Sequence, residues 1–163
     1  MAKAVKPVPD GYHTVTPYLV TRDTKRALEF YKKAFGAETK VSMPGPGGRI
    51  MHAEIRIGDS MIMLADEFPD MAPQVRSPES TGGTVTGTTF LYVPNVDEVF
   101  KRAVDAGAKV NMPVADQFWG DRFGKVIDPF GHHWGIATHK EDLTPQEIDK
   151  RRAEFEKQMA KQK

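Results

Sequence analysis

Two stretches of the chain repeat one alternation of apolar and polar positions. The first runs Thr16-Pro-Tyr-Leu-Val and then Asp23-Thr-Lys-Arg-Ala-Leu-Glu-Phe-Tyr-Lys-Lys-Ala-Phe-Gly36-Ala. The second runs Thr88-Thr-Phe-Leu-Tyr-Val and then Asn95-Val-Asp-Glu-Val-Phe-Lys-Arg-Ala-Val-Asp-Ala-Gly107-Ala. Each predicts a short strand, a residue able to cap a helix, an amphipathic helix and a glycine stop. Ala27, Leu28, Tyr31, Ala34 and Phe35 form the core-facing stripe of the first helix, and Val96, Val99, Phe100 and Ala103 that of the second. Gly36 and Gly107 stand where a left-handed cap is expected.

The segments after the two helices also match. After Gly36 come an apolar run at residues 39–43, a Pro44-Gly-Pro-Gly-Gly48 turn, a run at 50–57, a Gly58-Asp59 turn and a run at 60–65. After Gly107 come 109–112, a loop, 124–127, an Asp128-Pro-Phe-Gly131 turn and 132–138. A Gly-Asp pair between apolar runs is a tight hairpin signal. Each half therefore reads as a βαβββ module, the first over about residues 11–66 and the second over 87–139. The Pro-, Ser-, Thr- and Gly-rich segment 67–86 links them. In the tail, 143–163, Thr144-Pro145-Gln146-Glu147 is a capping box. It opens a mostly charged helix whose apolar stripe, Ile148, Phe155 and Met159, is thin. That helix is expected to be solvated and weakly docked, on the body or on a partner subunit.

Composition narrows the function classes. Lys and Arg total 23 against 22 Asp and Glu, a net charge of +1, which lacks the basic excess of a nucleic-acid-binding surface. No apolar run approaches the ~20 residues of a membrane span. The first ten residues carry no apolar core of a secretory signal. With no cysteine there is no disulfide, thiolate nucleophile or zinc finger. A cytoplasmic protein of α+β class is expected. There is no Gly-x-Ser-x-Gly, Walker loop or helix-opening Gly-x-Gly-x-x-Gly.

The two modules, Glu29-Phe30-Tyr31 ahead of Phe35-Gly36, and Asp128-Pro129-Phe130-Gly131-His132 opening the last strand resemble the vicinal oxygen chelate superfamily. That superfamily holds glyoxalase I, bleomycin-resistance proteins and extradiol dioxygenases. The run Asp116-Gln117-Phe118-Trp119-Gly120-Asp121-Arg122, with His133-Trp134 and Ala137-Thr138-His139, is similar to its PhnB-like branch. The resemblance covers residues 11–142. It implies curved mixed sheets with helices on the convex faces, a cup on each concave face, and a homodimer. In the superfamily's enzymes a divalent metal sits in the cup on four side chains. By the resemblance those positions here are Thr16, Met63, Thr88 and Gly135. None has an imidazole or carboxylate, and hydroxyl and thioether are poor ligands for such ions. The expectation is no metal and no cofactor at that site.

Strand periodicity supplies the other candidates. In residues 51–57, His52, Glu54 and Arg56 share one face and Met51, Ala53, Ile55 and Ile57 the other, which should be the helix-packed one. His133 shares a face with Gly135. His52, Glu54 and His133 could form a displaced two-histidine, one-carboxylate metal set, or simply be polar groups bonding one another. Thr14, Thr16, Tyr18 and Val20 line the first strand inside, and Thr86, Thr88, Phe90 and Tyr92 the fifth, with Met61, Met63, Phe118 and Trp119 nearby. Such a lining is apolar with a few polar anchors, as small-molecule sites are. Segment 118–122 is expected in a loop, with Trp119 free to stack on a planar ligand. Asp121 lies beside it. Arg122 either clamps an anion or pairs with Asp121 or Asp116, and His132 holds the backbone of its turn.

The reading is a metal-free binding protein of the glyoxalase/bleomycin-resistance type for an aromatic or planar metabolite or antibiotic. Its ligand-binding candidates are Thr16, Tyr18, His52, Glu54, Met63, Thr88, Phe90, Trp119, Asp121, Arg122 and His133. The alternatives are a lyase, isomerase or dioxygenase with a displaced metal, and a scaffold working through its tail helix.

Overall fold

The computed structural model describes residues 5–161. The first four residues of the amino-terminal stretch read as no signal, and the last two of the tail, lie outside the described residues. The first module contains β1 (Tyr18–Thr21), α1 (Thr24–Phe35), β2 (Glu38–Pro44), β3 (Ile50–Ile57) and β4 (Ser60–Asp66). The second contains β5 (Thr88–Tyr92), α2 (Val96–Asp105), β6 (Lys109–Asp116), β7 (Asp121–Ile127) and β8 (His133–His139), followed by α3 (Pro145–Ala160). Each module is a four-stranded mixed sheet, ordered β1-β4-β3-β2 and β5-β8-β7-β6. The first strand of each runs parallel to the last. The class is α+β, as the repeat predicts.

Local chemistry sets the helix limits. The Asp23 carboxylate accepts the Arg26 amide and the Asn95 side chain the Glu98 amide, satisfying donors that a helix start leaves free. Gly36 closes α1 at φ 68°, where a Cβ would be strained. At α2 the cap is Ala106 in right-handed conformation, and Gly107 follows it at φ 116°. The buried face of α1 includes Phe30, while Leu28 is only half-buried.

The helix-side faces share one core. Residues of α1, α2 and both sheets form a single buried cluster in which Tyr31 and Trp134 are sealed from solvent. Removing an aromatic of that kind costs about 3–5 kcal/mol. At its centre the Asp128 carboxylate accepts the Phe130 and His132 amides, each at 2.9 Å, the Trp134 indole at 2.9 Å and the Tyr31 hydroxyl at 2.7 Å. The Asp-Pro-Phe-Gly turn of the second module is thereby tied to the first module's helix. His132 does not hold its own turn through its ring. The ring lies 2.9 Å from the Val20 carbonyl and so bridges the modules.

Four strand details differ from the sequence pattern. β1 begins only at Tyr18, because Pro17 has no N–H to pair. Thr14 and Thr16 precede it, and the Pro17 carbonyl accepts from Met63. β6 and β7 extend toward each other, so segment 118–122 is no long loop and Asp121 and Arg122 lie in β7. The turn closes where Gln117 N–H donates to the Asp121 carbonyl at 2.8 Å and Gly120 takes φ 99°. A side chain at Gly120 would stand 2.5 Å from the Glu141 carbonyl. Pro113 is tolerated inside β6 because that strand is an edge, where a missing N–H faces no partner. Finally, a register shift beside Met43 and Pro44 gives β3 an extra residue. Ile50 takes the inner place at 4% exposure and Met51 turns outward at 42%, against its expected core side.

Helix α3 carries the capping box: the Thr144 amide donates to Glu147 at 2.8 Å and the Glu147 amide to the Thr144 hydroxyl at 3.3 Å. It has no buried residue. Its anchors are Phe155, 5.6 Å from the Phe118 ring centre, and the Arg151–Glu141 ion pair. Among the described residues no helix is long and apolar enough to cross a membrane.

Candidate functional site

Opposite the shared core, each sheet presents an open face. On the first, cross-strand pairing sets Tyr18 beside Met63 and Met63 beside Glu54, and His52 lies two residues from Glu54 on the same side. The Tyr18 hydroxyl is 3.2 Å from His52 Nδ1, and His52 Nε2 is 3.1 Å from Glu54 Oε1. An ionised carboxylate only accepts, so in neutral His52 the proton sits on Nε2 and Nδ1 accepts from Tyr18. The result is a hydrogen-bonded chain whose far end, the Tyr18 oxygen, keeps its lone pairs for another donor. Tyr12 closes the near end. Its hydroxyl is sealed from solvent, has no partner in hydrogen-bond geometry, and lies against Glu54. Burial and that carboxylate push Tyr12 up to about 12, while Tyr12 and His52 hold Glu54 below its usual range.

The second open face is aromatic. Phe90 and Phe123 stack with ring centres 5.2 Å apart and planes at 14°. Tyr92 adjoins Phe90 at 5.1 Å and Trp119 adjoins Phe123 at 6.0 Å. Phe118 meets Trp119 edge-on at 5.0 Å and leads to Phe155 of α3. This row rests on the small residues of β8. A Cβ at Gly135 would come 2.7 Å from the Phe90 ring and 3.0 Å from that of Phe123. Phe90 and Tyr92 remain 45% and 65% exposed, a large apolar surface to leave in water.

Asp121 orders one end of the row. Only 3% exposed, it accepts the Tyr92 hydroxyl at 2.9 Å and the Trp119 indole at 3.1 Å, and lies 2.8 Å from His139 Nδ1. Trp119 is thus held in place and half-buried, its ring tilted against Phe123. His139 also contacts Asp142 at 2.9 Å, and Asp142 and Asp121 raise its pKa above 6.5.

Arg122 is not at either open face. Alternation along β7 turns it to the helix side, where it forks onto Asp97 with two contacts of 2.8 Å and reaches Asp116 at 3.1 Å. Of the two expected pairings, the one with Asp116 forms and the one with Asp121 does not. The displaced metal set is likewise not assembled within the chain. His52 and Glu54 meet, His133 lines a separate cavity, and among the described residues no three His, Asp or Glu side chains could hold an ion. The four superfamily positions do not fit a metal either: Thr16 and Thr88 offer hydroxyls, Met63 a thioether, and Gly135 is roofed by two rings.

Two cavities open where β1 approaches β5. One, of about 540 Å³, includes Thr16, Met61, Phe90 and Tyr92 in its wall. The other, of about 850 Å³, includes Tyr18, Thr88, Phe90 and His133. Sequence reasoning missed Tyr12, Phe123 and His139. The last two share the Asp121 and Gly135 faces by simple alternation, whereas nothing in the residues before β1 marks Tyr12.

Residues 12–136 match the Glyoxalase/Bleomycin resistance protein/Dioxygenase superfamily. The chain belongs to that superfamily. It is 43% identical over 135 residues to the uncharacterised Mycobacterium tuberculosis protein Rv0887c, covering 82% of this chain and 79% of that one. Among solved structures, TioX from Micromonospora superposes with a TM-score of 0.60 at 28% identity, over 77% of this chain and 97% of its own. The bleomycin resistance determinant of transposon Tn5 shares the superfamily fold with a TM-score of 0.57 at 17% identity, over 79% and 99%.

Proposed function

We propose that this superfamily member is a binding protein of the glyoxalase/bleomycin-resistance type, taking a planar or aromatic small molecule without a metal. The observation that carries the reading is the aromatic row seated on Gly135. A position where the superfamily's enzymes carry a metal ligand here makes room for two stacked rings. Planar ligands stack on such surfaces at low entropic cost, because the rings are already fixed. The Tyr18–His52–Glu54 chain supplies directional polar anchors, and Trp119 a further stacking plane.

Residues 11–142 act as one binding domain in this reading, in the cytoplasm, and the tail steadies the Trp119 turn through Phe155. The exposure of Phe90 and Tyr92 supports a homodimer whose second copy covers these rings and encloses the ligand. The test is titration of 2-naphthamide followed by calorimetry, a readout that does not depend on either indole. Binding that weakens in Trp119→Ala supports the reading, and equal affinity in that variant sinks it. The hydrogen-bonded chain on the first module favours a second, catalytic reading, in which His52→Ala abolishes turnover of a bound compound while leaving its binding intact.

A further inference from the structure

We propose that the larger cavity, between β1, β5 and the connection at residues 74–87, is an anion subsite. It takes a carboxylate or phosphate group carried by a ligand whose planar body lies on the aromatic row. The inference rests on the binding reading above and adds the ligand's charge class to it.

Three features of the cavity point the same way. First, its wall contains Arg76, His132 and His133 but no aspartate or glutamate among the described residues. His132 is committed to the Val20 carbonyl, which leaves Arg76 and His133. Second, Arg76 is held by a carboxylate that does not itself line the cavity. Glu67 lies behind the wall, 8% exposed, with the Ser77 amide on one oxygen at 2.8 Å and the Ser80 hydroxyl on the other. Both Arg22 and Arg76 stand 3.6 Å from it, so two guanidinium groups face one carboxylate already supplied with neutral donors. Glu67 positions Arg76 without neutralising both charges. Third, Thr84, Thr86 and Thr88 share the lining with Arg76, and hydroxyl with guanidinium is a mixture suited to the oxygens of a carboxylate or phosphate.

Phe90 connects this cavity to the rest of the site. It belongs to the cavity wall and to the stacked row, so a ring lying on its exposed part has an edge at the cavity mouth. A substituent there meets Arg76 and His133 rather than solvent.

The experiment compares three ligands of one planar body, 2-naphthoate, 2-naphthyl phosphate and 2-naphthamide, by calorimetry on the full chain. In the wild type at least one anion should bind roughly tenfold tighter than the amide, the gain expected of a charge-assisted contact. That ratio should collapse in Arg76→Gln, and also in His133→Gln, which tests the subsite should the first variant fold poorly. The better anion identifies the group the site prefers. Equal affinities for anion and amide, or a ratio unchanged in both variants, overturn the subsite while leaving the binding reading in place. Failure of all three ligands to bind overturns both.

Discussion

Glu67→Gln is a change whose cost follows from the geometry and whose pH dependence has a definite sign. Burial opposes ionisation of Glu67, but the Ser77 amide, the Ser80 and Ser77 hydroxyls and the Arg76 charge outweigh it and lower the pKa from 4.5 to about 2. That difference corresponds to roughly 3 kcal/mol of preference for the ionised form in the folded state. A group whose folded pKa is depressed stabilises the fold fully above its unfolded value. Its contribution fades as the pH falls through the folded one. The stabilisation should therefore be about 3 kcal/mol at pH 7, about 1 kcal/mol at pH 3 and gone below about pH 2. Glutamine is isosteric and can still accept from Ser77 and donate to Ser80, so the variant removes the charge and little else. Urea unfolding followed by indole fluorescence at pH 7 and pH 3 measures both numbers. A loss under about 0.5 kcal/mol at pH 7, typical of a surface ion pair, would refute the reasoning. So would a loss that stays constant on acidification.

Three further outcomes are expected. Tyr31→Phe deletes one of four donors on the buried Asp128 carboxylate and should cost about 2 kcal/mol in urea unfolding; a loss within error would show that the hydroxyl does not tie the modules. Gly135→Ala places a methyl 2.7 Å from the Phe90 ring, which should cost about 1–3 kcal/mol and weaken 2-naphthamide binding as the rings part. Unchanged binding there would deny the row its role. His139, between Asp142 and Asp121, should titrate by NMR above 6.5 and move back toward it in Asp142→Asn; a wild-type midpoint at or below 6.5 would contradict the arrangement.

The order of elements was legible because helix and strand impose different periods, and each module writes both in full. Where elements end was less so. Nothing around Pro17 or Pro113 reveals that one delays a strand and the other sits harmlessly on an edge, because both depend on which neighbour the strand pairs with. Met51 turned outward through a bulge that depends on its pairing with β2. The His52–Glu54 pair could be read from alternation alone, but its extension to Tyr18 required knowing that β4 lies between β1 and β3. Arg122 shows the opposite failure. Its neighbours in sequence suggested an anion clamp or a pair with Asp121 or Asp116; the Asp116 pair forms, but the bidentate partner, Asp97, lies on a helix that only the fold brings near. The aromatic row was half visible, in Phe90, Tyr92, Phe118 and Trp119. Phe123 completes it only because Gly135 leaves the space.

Metal analysis of protein purified without chelator, with 2-naphthamide affinity measured before and after exhaustive EDTA treatment, tests the central claim most directly. The expected result is metal far below one equivalent per chain and an affinity that chelation leaves unchanged. Near-stoichiometric metal whose removal abolishes binding would contradict a metal-free site built on the aromatic row and return attention to His52, Glu54 and His133.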